Sequence, residues 1–292
     1  MPRLDVETKT LRTPDGTHIT LYDTTGDKPP VVLANGLGGP FNTWRHQVDY
    51  LRERYRLVSW DYRGLGRSSH PAEQPPRFDM ASHVADLEAV LAETGIQRAA
   101  FIGWSMGAQV LLELYDHAPE RFSHLVFING TFGRPFETVA VPLAARIIPR
   151  LAQQVQRHHR VGSRLLRRAT RWPETLLWLK RLGLIGSTVD SELFREMSAE
   201  FSELDLEAYL RMLRSLGDHD AARVLPKVQV PTLMIAGERD AFTPRQITEQ
   251  MALRIAGCEL LLVRGATHYT AVEYPELVNL RIEKFFREHD YG

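Results

Sequence analysis

A serine stands between two glycines in GWSMG at residues 103–107, directly after the apolar run Ala99–Ile102 and directly before the helical pattern MGAQVLLELYDH. A serine at such a strand-to-helix turn forms a nucleophile elbow. The tight turn strains the backbone, Gly103 and Gly107 remove side chains that would clash, and the Ser105 hydroxyl projects above the sheet. The following helix presents free N–H groups to a developing anion. A Gly-x-Ser-x-Gly match alone also arises by chance, as an ordinary turn serine; the flanking strand and helix give this one its meaning.

A serine hydroxyl needs a neighbouring base to take its proton, and histidine, with an unperturbed pKa near ~6.5, suits the task. Eleven histidines are present, so position must choose. His268 lies in GATHYTAVEYPE, a loop after the strand Glu259–Val263 and just before the last helix, at the same C-terminal sheet edge as Ser105. His46, His83, His117 and His124 read as helical or helix-end residues, where solvated or packed imidazoles are expected. His158, His159 and His219 belong to an insertion defined below.

The imidazolium formed during reaction needs a carboxylate to hold its tautomer and offset its charge. Asp240, in AGERDAFTP after the strand Thr232–Gly237, leaves the sheet at the edge where open α/β sheets place their sites. Glu238 is its rival, with a longer side chain nearer the strand. The position after Leu125–Asn129 offers Asn129 and Thr131 but no carboxylate. NGLGG at 35–39 follows another buried strand, and its glycines let backbone N–H groups approach a substrate; the alternative is a plain glycine turn. The amides of Leu37 and Met106 are the expected oxyanion donors.

Short β-rich runs alternating with amphipathic helices must position these groups, the pattern of a mostly parallel sheet wrapped by helices. Seven strands are clear: His18–Tyr22, Val31–Asn35, Leu57–Asp61, Ala99–Trp104, Leu125–Asn129, Thr232–Gly237 and Glu259–Val263. Helices are predicted over Ser82–Thr94, Met106–His117, Pro244–Ala256 and Pro275–His289, the last opening on a first-turn proline. The alternation breaks after Thr131 and resumes after Ala222. The core is therefore expected over residues 1–130 and 223–292, with residues 131–222 a helical lid.

That insertion carries the charge anomaly. From Arg146 to Arg181 there are ten basic residues and one acid, Glu174, about +9 locally. Arg146, Arg150, Arg157, Arg160, Arg164, Arg167, Arg168 and Arg171 fall mostly three, four or seven apart, a helical stripe. A solvated lid face is the bland reading; peripheral docking to anionic lipid or an acidic partner is the sharper one. Pro149, Gly162 and Pro173 divide the segment, against a single long membrane-lying helix.

The remaining composition excludes whole classes. At 292 residues, 43% hydrophobic and 25% charged, the chain reads as an ordinary globular protein. Its 36 basic residues balance 36 acidic ones, against a nucleic-acid footprint spread over the molecule. One cysteine, Cys258, rules out an internal disulfide and leaves too few thiolates for a structural zinc or iron–sulfur site. A polar N-terminus, and no run approaching ~18 apolar residues, make a cytoplasmic location the expectation, with no transmembrane segment.

The order NGLGG, DYRGLGRS (61–68), GWSMG, GERD (237–240), GATH (265–268) resembles the α/β-hydrolase fold family, over about Asn35 to the C-terminus. The order Ser, Asp, His along the chain is the one this fold uses. The resemblance implies a central sheet of about eight strands, a cap over residues 131–222, no cofactor, and a structural role for Asp61 and Arg63 in tying loops together. The family more often has His-Gly where this chain has Asn35-Gly36. Ser105 argues against the dehalogenase and epoxide hydrolase branches, which use aspartate at the elbow, and against the cysteine-based dienelactone branch. No Gly-x-Gly-x-x-Gly dinucleotide fingerprint and no zinc-protease His pair is present.

The expected function is serine hydrolysis of a carboxylic ester of a small to medium, largely apolar substrate. Trp104, Phe132, Phe136, Trp172, Leu176, Leu177 and Trp178 are candidates to line its pocket, with packing against the sheet as the alternative for each. Lactone hydrolysis, carbon–carbon hydrolysis, perhydrolysis and acyl transfer would use the same triad, and a ligand receptor of the same fold would use none of it.

Overall fold

The computed structural model describes residues 6–134, 159–170, 172 and 174–292. Eight strands form one sheet: β1 (Glu7–Arg12), β2 (His18–Asp23), β3 (Pro30–Ala34), β4 (Arg56–Trp60), β5 (Ala99–Trp104), β6 (Phe122–Ile128), β7 (Thr232–Gly237) and β8 (Glu259–Val263), in the order β1-β2-β4-β3-β5-β6-β7-β8. Strand β2 pairs antiparallel with both its neighbours, and all other pairings are parallel. The eighth strand, absent from the seven read in the sequence, is β1. Its sequence ETKTLR buries only Leu11, because an edge ribbon meets the core at one point and carries almost no hydrophobic signal. His124 also differs from expectation: it lies in β6, not in a helix.

The central strands read as continuous apolar runs because both faces are covered. Alternate residues enter different cores, as the two-residue strand period requires. Val32, Ala34, Phe101, Leu125 and Phe127 face one side. There they meet helices α2 (Met80–Glu93) and α3 (Met106–His117) through Leu87, Val90, Leu111 and Leu114. Val31, Leu33, Ile102, Val126 and Ile128 face the other, against α1 (Arg45–Leu51) through Val48 and Leu51. Asp79 caps α2 by accepting from the Ser82 amide at 2.9 Å.

Between β6 and β7 the described residues form α4 (His159–Thr170), α5 (Thr175–Arg181), α6 (Ser191–Ser202) and α7 (Leu206–Asp218). Asp190 and Asp205 cap α6 and α7 through pairs of backbone amides at 2.9–3.1 Å. The ends of this inserted segment are stitched together: Ala221 N donates to Phe132 O at 2.7 Å and Arg134 N to His219 O at 2.9 Å, around a Gly133–Asp220 bridge. After β7 come α8 (Arg245–Arg254), α9 (Thr270–Glu273) and α10 (Pro275–Glu288). In α10, Val278, Ile282, Phe285 and Phe286 complete the core on the α1 side. No helix among the described residues is long and apolar enough to cross a membrane.

Inserted helix α6 meets the core through polar pairs, Asn42–Glu200 at 2.8 Å, Arg45–Glu196, and His46–Asp190 at 3.4 Å. Gly38 sits under this contact: a Cβ there would lie 2.8 Å from the Phe201 ring and 2.9 Å from that of Tyr209. The inserted helices therefore stand directly over the NGLGG loop.

Candidate active site

Ser105 occupies the turn between β5 and α3 with φ 53° and ψ −115°. A non-glycine residue holds that conformation only where its surroundings over-determine it. Here the Ser105 amide donates to Ile128 O on β6 at 3.1 Å, and its carbonyl accepts from Ala108 N at 3.1 Å. The two glycines have separate steric tasks. A Cβ at Gly103 would lie 2.9 Å from the backbone of α3, and one at Gly107 only 2.2 Å from Ala34 O on β3. Because the second clash is with sheet backbone, Gly107→Ala should destabilise the fold by about 3 kcal/mol, the upper end of ordinary overpacking costs. A shift of the urea midpoint measures it.

Asp240 and His268 leave the C-terminal ends of β7 and β8, as expected, and the His268 Nδ1 lies 2.8 Å from Asp240 Oδ2. The same oxygen accepts from Asn129 Nδ2 at 2.7 Å and Thr243 Oγ1 at 2.6 Å, and Oδ1 accepts from the amides of Phe242 and Thr243 at 2.8 and 2.9 Å. Burial alone would raise this carboxyl's pKa; the neighbouring His268 and the Thr243 hydrogen bonds outweigh it and hold the group below the usual carboxylate range. Glu238, the rival acid, is exposed and accepts instead from Gly265 N at 3.0 Å.

Trp104 joins the two halves of the site. Its indole N–H donates to His268 O at 3.0 Å, and its ring centroid lies 5.5 Å from the imidazole. Among the described residues the Ser105 hydroxyl makes no hydrogen bond, to His268 or to another group; nucleophile–base bonds commonly tighten only around the reacting substrate.

The two expected oxyanion donors share one property: among the described residues neither the Leu37 nor the Met106 amide donates to a protein acceptor. The loop carrying Leu37 is held from below. Tyr62 Oη donates to Asn35 O at 2.8 Å, and Trp104 lies so close that a Cβ at Gly36 would meet its ring at 2.8 Å.

Four residues had no site role assigned from the sequence. Asn129, with φ 48°, aims its amide at Asp240; asparagine tolerates this left-handed backbone, which is the signal its place after a buried strand offered. Thr243 braces the same carboxylate. Phe242, nearly half exposed, has its ring 5.2 Å from that of His268. Buried Glu273 accepts from Thr267 N at 2.7 Å, from the Thr267 hydroxyl at 2.5 Å and from Gly186 N at 2.6 Å, tying the histidine loop to the inserted segment.

The pocket candidates separate. Trp104 is buried beside His268, and Phe132 is half-buried with the Arg254 guanidinium 5.3 Å above its ring. Trp172, Leu177 and Trp178 are exposed on the inserted segment, and among the described residues no ring contact brings either tryptophan to His268. Leu176 packs inward with Ile185 and Leu193 instead. Phe136 lies outside the described residues, as do Arg146, Arg150, Arg157 and Arg171 of the basic stripe.

Asp61 and Arg63 tie loops together. Asp61 accepts from Tyr22 Oη and Arg67 N, both at 2.8 Å. Arg63 forks onto Asp86 at 2.7 and 2.8 Å and reaches Asp15 at 2.9 Å. Both Arg63 and Asp86 are buried, so Arg63→Ala should cost roughly 3–5 kcal/mol by stranding the Asp86 charge. Chemical denaturation tests this, and a loss below 1 kcal/mol, as for an exposed pair, would contradict it.

Comparison with known proteins agrees with this fold. The chain is 28% identical to 3-oxoadipate enol-lactonase 2 of Acinetobacter baylyi over 258 residues, 88% of each chain. Two solved structures superpose at low identity: a bromoperoxidase from Bacillus anthracis, at TM-score 0.79 and 21% identity over 96% of this chain and all of the other; and an esterase from Exiguobacterium antarcticum, at 0.73 and 22% over the same shares. A profile of the α/β-hydrolase fold matches residues 29–273, and the chain belongs to that family.

Proposed function

We propose that the protein is a serine hydrolase that cleaves a carboxylic ester of a small to medium, largely apolar substrate. The observation that carries this reading is the Asp240–His268 hydrogen bond, 2.8 Å long, at the sheet edge where Ser105 sits in its strained turn. Asp240 fixes the proton on His268 Nδ1, which leaves Nε2 to take the proton of the Ser105 hydroxyl as it attacks the carbonyl. The Leu37 and Met106 amides receive the tetrahedral oxyanion, each donor contributing about 3–4 kcal/mol to the transition state. His268 then protonates the departing alcohol, and a water activated by the same base releases the acid. The inserted helices α4 to α7 act as the cap, and Trp104 and Phe242 give the site apolar walls.

A lactone is the second reading, favoured by the name of the Acinetobacter relative. It needs the same groups; the leaving alcohol merely stays tethered to the acyl chain. A fluorophosphonate probe tests the shared chemistry: it should label the wild type and not Ser105→Ala. Rates on matched open-chain esters and lactones then separate the two readings. A folded wild type that resists the probe and hydrolyses neither class would overturn both.

A further inference from the structure

Helix α5 is apolar on two sides. Leu176 and Leu179 pack inward against Ile185, Leu193 and Phe194. Leu177 and Trp178 turn outward, about half exposed, and Leu182, four residues beyond Trp178, is 68% exposed. Trp172 and Leu165 are exposed beside them in sequence at 61% and 63%. Five of the eleven large hydrophobic side chains exposed among the described residues thus fall within Leu165–Leu182, while Trp44, Trp60 and Trp104 are all buried. Single exposed apolar residues are ordinary, but five within one stretch of eighteen residues are not, and they mark a surface to be explained.

The described charges from Arg164 to Leu182 are mostly positive: Arg164, Arg167, Arg168, Lys180 and Arg181 stand against one exposed acid, Glu174. Arg164 and Arg168 are exposed on α4 and form no ion pair among the described residues. The Arg181 guanidinium lies 5.5 Å over the Trp178 ring, and among the described residues Lys180 bonds only the neutral Ser187 carbonyl and Ser191 hydroxyl, both at 3.3 Å. Among the described residues Arg167 approaches a carboxylate, Glu203 at 3.7 Å.

We propose that this face docks on an anionic lipid surface. Tryptophan and leucine flanked by arginine suit the headgroup boundary: the apolar bodies enter it while the guanidinium groups meet phosphate. A second copy of the chain fits poorly, because a two-fold contact would press the same positive face against itself. The chain as a whole is neutral, so the part outside this basic stretch is acidic, and an anionic surface would draw α4 and α5 inward and push the acidic part away. The proposal concerns this surface alone and stands whatever Ser105 does.

Sedimentation of the full chain with phosphatidylcholine vesicles, and with vesicles containing phosphatidylglycerol, tests it. Binding should require the anionic lipid and weaken with salt. Arg164→Glu with Arg168→Glu should lower the partition coefficient on the order of thirtyfold or more. Brominated acyl chains should quench wild-type tryptophan emission, a measurement that needs no substitution and so survives a variant that fails to fold. Absence of anionic-lipid binding would overturn the proposal. So would heparin retention without bromine quenching, which would indicate a soluble polyanion, or a wild-type dimer that Trp172→Ala with Trp178→Ala dissociates.

Discussion

Replacing Ser105 by alanine should lower kcat by about a million-fold, as removal of a triad nucleophile does elsewhere. The Asp240–His268 bond needs nothing from the serine hydroxyl, so the variant should keep its fold and its ligand-binding surface. Its stability should barely change, because alanine inherits the same φ of 53°. Ser105→Gly separates the two effects. It should be equally inactive yet more stable by about 1–2 kcal/mol, since glycine occupies that backbone region without strain. Pre-steady-state release of p-nitrophenol and urea unfolding, run on both variants, measure the pair. A residual rate within a hundredfold of wild type would place the nucleophile elsewhere.

Asp240→Asn should cost about ten-thousandfold in kcat. The carboxylate faces five donors on two oxygens: Asn129 Nδ2, Thr243 Oγ1, His268 Nδ1 and the amides of residues 242 and 243. An asparagine amide must aim its own N–H groups at some of them. Pointed at His268 it selects the wrong tautomer; pointed at the backbone it meets two N–H groups. The acid stability of the protein should change as well. A native carboxyl held below its ordinary pKa contributes stability above about pH 4, lost as pH falls through the lower native value. The variant lacks that contribution, so its stability should decline less steeply than the wild type's in this range. An identical pH slope in the two proteins would show that the carboxylate is not the group responsible.

What could be read in advance followed hydrophobic periodicity and glycine. The doubly buried strands β3, β5, β6 and β7 announce themselves because each carries an unbroken apolar run, and helix α3 begins and ends where its pattern does. Ser105 and Asp240 were legible because each follows such a strand, and His268 because it lies between the more exposed strand β8 and the last helix. Strand β1 was not, since its pairing with β2 is made by backbone groups that any side chain can accompany. Asn129 was noticed only for lacking a charge; that its amide would complete the Asp240 environment depends on β6 and β7 being neighbours, a fact of topology. The exposure of Trp172 and Trp178 was hidden for a similar reason, because an aromatic residue in an amphipathic stretch has the same letter on either face.

The bonds that join Phe132 to Ala221 and Arg134 to His219 bear on how such a chain can diversify. To the sheet, everything between those pairs is equivalent to one short hairpin connection, whatever its length. Loop-closure entropy is met locally at the neck, so lengthening or exchanging the enclosed segment adds only a slowly growing, logarithmic cost. The segment is a cassette: a new one grafted between residues 134 and 219, if it replaces the Gly186 bond to Glu273, would leave Ser105, Asp240 and His268 at the sheet edge and change what stands over them.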